Sequence, residues 1–465
     1  MNIYLDSLLV VLLIVTPSSS IQAQDQTMTA GTVIYVDDDN TQGPWLGTIE
    51  YPYQFIQDAI NVSTNGDTVY VFTGMYTHPI DLNKSISLLG ENATILDGGY
   101  TGTIATVSAD DVTIDHLTIQ NAGSYSDDAG ICITADRCTI QFSTISTTRV
   151  GIASITTNQT TIDNCSLVNN EQAVFCDMAY ETNIIGSMMT KNAIGLHLLN
   201  SSMTTLEYCY LHNNGKAGRF NGSHSTTIYM CNISDNSANH GGLFLRNCTE
   251  FTIHECMITH NGVGCSIHQS TDLSVTNTTF RLNSLYAIWL DETVCDLLIS
   301  RCSIVDNQRF GIFKPEESAC LISENNIYGN VLYGLYSKRS HCQCPNNYWG
   351  SLLGPSYTIY GKGDRISFSP FRIHFRPWKL MLLTPCGASW QQNAEYMAKH
   401  YSLPQLIPPT FEDPDTDLDG VPDWWETKWG YDPESWDDHL HLDPDTDGLH
   451  NIQAVSYTHL TLPTN

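Results

Sequence analysis

Positive charge is scarce in this chain. Lys and Arg number 20 against 49 Asp and Glu, a formal net charge of −29 over 465 residues. Such a surface repels phosphate backbones and anionic lipid, which argues against nucleic acid as a partner. Charged residues of both signs reach only 15%. With many Thr, Ser, Asn and Gly, that balance suits turn-rich β structure rather than helical bundles. Helical i, i+3, i+4 spacing and leucine-rich-repeat signatures are both missing.

Long apolar runs are missing too. Leu8 to Val15 is an eight-residue apolar run, short of the ~20 residues a spanning helix needs. The start, "MNIYLDSLLVVLLIVTPSSSIQAQ", reads as an export signal over residues 1–23, with the mature chain beginning near Gln24. Its first residues carry Asp6 and no Lys or Arg, so a short membrane anchor stays open as the alternative. No later stretch is apolar enough to span. The expected location is therefore secreted, extracellular or in the cell envelope.

The chain carries 15 cysteines, an odd number, so at least one has no partner within the chain. Their placement follows a repeat. "TLEYCYLHNN" (Thr205 to Asn214), "TIYMCNISDN" (Thr227 to Asn236) and "TIHECMITHN" (Thr252 to Asn261) are near copies. The unit ends at Thr148, Asn170, Asn192, Asn214, Asn236, Asn261, Asn283, Asn307 and Asn330, in steps of 22, 22, 22, 22, 25, 22, 24 and 23. A sustained period near 22 marks a solenoid. The second and seventh positions are apolar, as in Leu206 and Leu211. The fifth holds Cys165, Cys209, Cys231, Cys256 and Cys302. After each Asn a Gly or Ala precedes an apolar residue, as in Gly195-Leu196 and Gly311-Ile312.

These signals predict an all-β, single-stranded parallel β-helix. Roughly eleven coils stacked about 4.8 Å apart would make a rod about 50 Å long. The cysteines then form a buried file of small side chains. A run of disulfides or a metal row is the alternative, though parallel neighbours point the same way, a poor geometry for S–S bonds. The corner Asn side chains should hydrogen-bond from coil to coil. "YPYQFIQDAINV" supplies a short N-terminal capping helix. Cap and first coils span 31–100, the repeats 101–380, and a Pro-rich linker 381–410.

"YVDDDNTQGPW" (Tyr35 to Trp45), "SISLLGENATILDGG" (Ser85 to Gly99), the 22-residue units and "NNYWGSLLGP" together resemble secreted right-handed parallel β-helix proteins. The resemblance is to the pectate-lyase-like superfamily, within it the NosD-type (periplasmic copper-protein maturation) and carbohydrate-binding/sugar-hydrolase branch. It covers roughly residues 33–380. It implies the right-handed fold but no single activity, because the branch includes enzymes, binders and structural proteins.

The acidic tail, 411–454, carries "DPDTDLDGVPDWWE". Asp415, Asp417, Asp419, the Val421 carbonyl, Asp423 and Glu426 stand at the ligand positions of a calcium loop, with Gly420 at the sharp turn. A second copy has Asp443, Asp445, Asp447, Gly448, Leu449 and Asn451, with Ala454 where an acid would complete it. The pair resembles thrombospondin type-3 or dockerin-like calcium repeats, and Ca²⁺ is the expected cofactor. Residues 455–465 read as translated adapter sequence and are set aside. The natural C-terminus, with any surface anchor, is then expected elsewhere.

A polysaccharide-cleaving β-helix would need paired acids on one outer face. No outward column of Asp or Glu emerges, and the polygalacturonase-like strings NTD, GHG and RIK are absent. Asp127 and Asp128 in "GSYSDDAG" are the best carboxylate pair, and a turn is the plainer reading. A second outward column holds Phe175, His197, Arg219, Phe244, Ser266, Trp289, Phe313 and Tyr336. Rings spaced along a rod could stack on sugars or on a partner's apolar surface; alternatively, loops cover them as a small second core. "HCQC" at His341 to Cys344 is the one candidate for copper. Ten Asn-X-Ser/Thr sequons occur, and those at corners would be the acceptors in a glycosylating host. The expected function is that of an exported, calcium-binding β-helix for carbohydrate or cell-surface binding, without catalysis. A polysaccharide lyase or glycosidase, or a structural envelope or adhesion protein, is the alternative.

Overall fold

The computed structural model describes residues 31–388, except 92, 238–239, 292–293, 316–319, 339–341, 358–360 and 368–372. The export signal, the calcium-loop residues Asp415 to Asn451, the tail 455–465 and His341 lie outside the described residues.

The chain winds into three parallel sheets. Sheet A has 15 strands, from Val33–Val36 to Ile373–His374; sheets B and C have 12 each, which makes about twelve turns. One turn runs through Thr205–Glu207 in sheet A, Tyr210–His212 in sheet B and Lys216–Asn221 in sheet C. The register follows the sequence period: Thr205 pairs with Thr227, Leu206 with Ile228 and Glu207 with Tyr229. The second position of each unit therefore points inward from sheet A, and the seventh points inward from sheet B. Leu206, Leu211, Ile228 and Ile233 are fully buried.

The fifth position lies in the corner between sheets A and B. The residue before it takes a left-handed backbone, as Tyr208 does at φ 55° and Met230 at φ 49°. The next side chain then turns inward. Cys209, Cys231, Cys256 and Cys302 are all fully buried there. The Cys209 N–H donates to Cys231 Sγ at 3.4 Å. Each thiol in turn faces carbonyls: Cys231 Sγ lies 3.5 Å from Leu206 O and 3.3 Å from Tyr229 O. Ser187 fills the same place, accepting from Cys165 N–H at 3.1 Å and donating to Ile185 O at 3.0 Å. Cys, Ser, Thr and Asn interchange at this corner because each offers a short side chain that can accept and donate. All 15 cysteines are free thiols. Burial pushes the Cys165 thiol up to about 12 and raises those of Cys231 and Cys302 as well, so these thiols stay protonated. That is a packing file, not a disulfide run or a thiolate row.

The corner Asn side chains form the predicted ladder. Asn214 Oδ1 accepts from the Asn192 N–H at 2.9 Å and from Asn192 Nδ2 at 3.0 Å, while Asn214 Nδ2 donates to Met189 O at 2.8 Å. The Gly or Ala that follows is required by close approach. A Cβ on Gly195 would lie 2.6 Å from Ala217 O in the next coil.

The ends are covered. The helix Ile56–Val62 buries Ile56, Ala59 and Ile60 over the first coils. A strand precedes it: Val33–Val36 pairs with Thr68–Val71. At the other end Trp349 is fully buried. Beyond it, part of the expected linker is docked against sheet B. Leu383 N–H donates to Asn326 Oδ1 at 2.9 Å, and Gly387 N–H to Arg301 O at 2.7 Å. Gly387 has φ 84°, and a Cβ there would meet Ser303 at 2.6 Å.

Candidate ligand-binding face

Sheet C strands bury two consecutive residues after the first, as in Tyr286–Asp291, where Ala287 and Ile288 are both buried. This offset turns the first and fourth residues outward together. The fourth residues are the column expected to bind. Successive pairings join Phe175 to His197, His197 to Arg219, Arg219 to Phe244, Phe244 to Ser266, Ser266 to Trp289, Trp289 to Phe313 and Phe313 to Tyr336. The eight residues form one unbroken file.

The first residues make a second file that the sequence reading missed: Tyr286, Phe310 and Tyr333. Its signal is an aromatic residue immediately before the Gly or Ala corner, repeated in only three coils. The two files interlock. Tyr286 lies 4.7 Å from Phe313, Phe313 lies 5.2 Å from Tyr336 at 15°, and Phe310 lies 5.8 Å from Tyr333 at 3°. These rings are half-buried, so one face or edge of each meets solvent.

Midway, the 25-residue coil carries extra residues before sheet C. They bring His240 over the file, its ring 5.0 Å from Trp289 and inclined by 14°. His240 Nδ1 lies 3.2 Å from Ser266 Oγ, which is 3.0 Å from His268 Nε2. Ser266 is thereby fully buried. His240 thus covers part of the file from a loop. Trp289 Nε1 is buried with no hydrogen-bond partner among the described residues, and so is His197 Nε2. His197 Nδ1 lies 2.8 Å from Gln172 Oε1. Burial, with the nearby charges of Arg219 and Lys216, lowers the His197 imidazole to about 4.

The carboxylate pair serves a turn. Asp128 Oδ2 accepts the Tyr125 N–H at 2.8 Å, and the Asp127 carbonyl accepts from Thr103 Oγ1 at 3.3 Å. Of "HCQC", Cys342 and Cys344 are fully buried in the C-terminal coil. Cys320 Sγ lies 3.8 Å from Cys342 Sγ. No group of three or more His, Cys, Asp or Glu side chains among the described residues is placed to hold a metal ion.

Two family models match. One, described as a right handed beta helix region, covers residues 194–348. The chain is a right-handed parallel β-helix protein. The second, described as a periplasmic copper-binding protein (NosD), covers residues 60–240 of this β-helix. Its periplasmic description agrees with the export expected from the N-terminus. The calcium expectation is corrected here: the metal that this description names is copper, not Ca²⁺, and the described residues hold no metal-binding group. They do not fit a copper centre either: the neighbouring thiols of Cys320, Cys342 and Cys344 are packed in the C-terminal coils and form no group placed to hold a metal ion.

No curated protein matches the β-helix at a significant level. Solved structures with a similar course include PfbA, a surface adhesin of Streptococcus pneumoniae, with 13% identity, TM-score 0.47, and 58% of this chain and 82% of that one covered. The periplasmic alginate epimerase AlgG has 10% identity, TM-score 0.41, and coverage of 68% and 77%. The A-module of the Azotobacter vinelandii mannuronan C-5 epimerase AlgE6 has 13% identity, TM-score 0.40, and coverage of 69% and 94%.

Proposed function

We propose that this protein is an exported β-helix that binds a polysaccharide at the cell surface along the ring file of sheet C, without cleaving it. The observation that carries the reading is the in-register run of half-buried rings from Trp289 to Tyr336, doubled by Tyr286, Phe310 and Tyr333. Rings fixed about 4.8 Å apart by the ladder give a repeating ligand a repeating set of flat apolar faces. Packing against one another holds the rings in place before a ligand arrives, which lowers the ordering cost of binding. The file itself carries no carboxylate, whereas glycoside cleavage calls for two acids flanking the bond.

The test uses the full chain against a panel of soluble polysaccharides, with parallel assays for new reducing ends and unsaturated products. Binding without product is the expected result. Either product formation or the absence of any binding contradicts the proposal.

A further inference from the structure

Several basic residues of this acidic chain are paired with carboxylates. Arg137, Arg149, Arg281 and Arg301 each reach a carboxylate at 2.7–3.4 Å. Sheet C carries cations without such a partner. Lys216, Arg219 and Arg246 stand on its outer face, and no carboxylate pairs with any of them among the described residues. Arg219 is in the ring file, between His197 and Phe244. Lys216 opens the same strand, and its ammonium lies 5.5 Å from the Phe244 ring centroid. Arg246 is two residues beyond Phe244, beside Asn221.

Lys216 and Arg219 are half-buried. A solvated surface lysine needs no counter-ion, but a half-buried cation loses hydration that only an anion restores in full. The chain has 49 Asp and Glu residues, yet none among the described residues is set against this pair. His197, one coil before Arg219, adds a buried nitrogen without a partner. In the next file, Asp177 stands three coils before Arg246. The cations thus sit at one end of the ring strip, in line with it.

We propose that the polysaccharide bound by the strip is an acidic one, whose carboxylate or sulfate groups sit on Lys216, Arg219 and Arg246 while its sugar faces continue onto Phe244 and Trp289. This rests on the strip reading above and adds the chemical class of the ligand. Arg219 supplies a planar fork that matches carboxylate and sulfate oxygens; Lys216 supplies a compact charge beside it. The acidic surface elsewhere repels a polyanion, so attraction is confined to this patch and falls with added salt.

The experiment compares carboxymethyl dextran, dextran sulfate and neutral dextran, which share one backbone, on the full chain. At least one charged polymer should bind about tenfold more tightly than the neutral one. The variant Lys216→Gln with Arg219→Gln should lose about that factor for the charged polymer and bring the ratio of charged to neutral binding close to one. Preference for carboxymethyl over sulfate, or the reverse, identifies the anionic group. Arg301→Gln, at a carboxylate-paired arginine, serves as the control and should change nothing. Equal binding of charged and neutral polymers overturns this inference and leaves the strip standing. Charged binding unchanged in the double variant, with its melting temperature intact, overturns it as well. Binding by none of the three, or binding indifferent to Trp289→Ala with Tyr336→Ala, removes the strip reading and this inference with it.

Discussion

Asn330 and Asp364 are joined twice through one oxygen: Asp364 Oδ2 accepts the Asn330 N–H at 3.1 Å and Asn330 Nδ2 at 2.8 Å. Asp364 thus takes the place that an Asn of the next coil would hold, and closes the ladder. Burial pushes its carboxyl up to about 6 from an ordinary 3.8. The folded state therefore holds the proton more tightly than the unfolded chain. Stability is greatest below pH 3.8 for this group and falls as pH rises towards 6.

Asp364→Asn keeps both acceptor contacts without the buried charge. At pH 7 it should stabilise the C-terminal coils by up to about 3 kcal/mol. Below pH 4 the variant and the natural chain should melt together. Thermal melts across pH 3–8 check this, and a destabilised Asp364→Asn at pH 7 would contradict it.

The corner file makes a second prediction. Cys231→Ser keeps an acceptor for the Cys209 N–H and a donor for Tyr229 O, as Ser187 already does for Cys165 N–H and Ile185 O. Its cost should stay within about 1 kcal/mol. Cys231→Val keeps the volume but leaves the Cys209 N–H buried without a partner, at about 1–3 kcal/mol. Denaturant melts of the two variants decide. Equal costs would mean that the file is held by volume alone.

His197 gives the opposite pH sign to Asp364. Its imidazole is lowered to about 4 from 6.5 by burial and by the charges of Arg219 and Lys216. The unfolded chain binds the proton more readily, so the contribution is complete above pH 6.5 and is lost as pH falls towards 4. His197→Phe, which continues the ring of Phe175, should remove that loss. Melting curves at pH 4.5 and 7.5 should show the variant less sensitive to acid than the natural chain. An unchanged acid sensitivity would contradict the assignment.

Much of the fold is legible because each coil repeats the same constraints. Cys209, Cys231 and Cys256 recur since the corner admits one short side chain. Asn192 and Asn214 recur since each answers the other's backbone. Phe313 and Tyr336 are readable as outward neighbours because register follows the period. What the repeat does not encode is hidden. Asp364 caps the ladder from 34 residues beyond Asn330, in a segment without the repeat. His240 reaches Trp289 through an insertion, where spacing carries no register. Tyr286, Phe310 and Tyr333 occupy three coils only. The missing counter-ions of Lys216 and Arg219 are a property of neighbours in space, invisible along the chain.

The most direct test of the account is calorimetric titration of the full chain with a polysaccharide it binds, compared with Trp289→Ala plus Tyr336→Ala. Truncating an aromatic anchor of a binding face costs about 1 kcal/mol or more, so the double variant should bind at least about tenfold more weakly, with its melting temperature within a few degrees of the natural chain. Undiminished affinity in a folded double variant would contradict the assignment of ligand binding to sheet C.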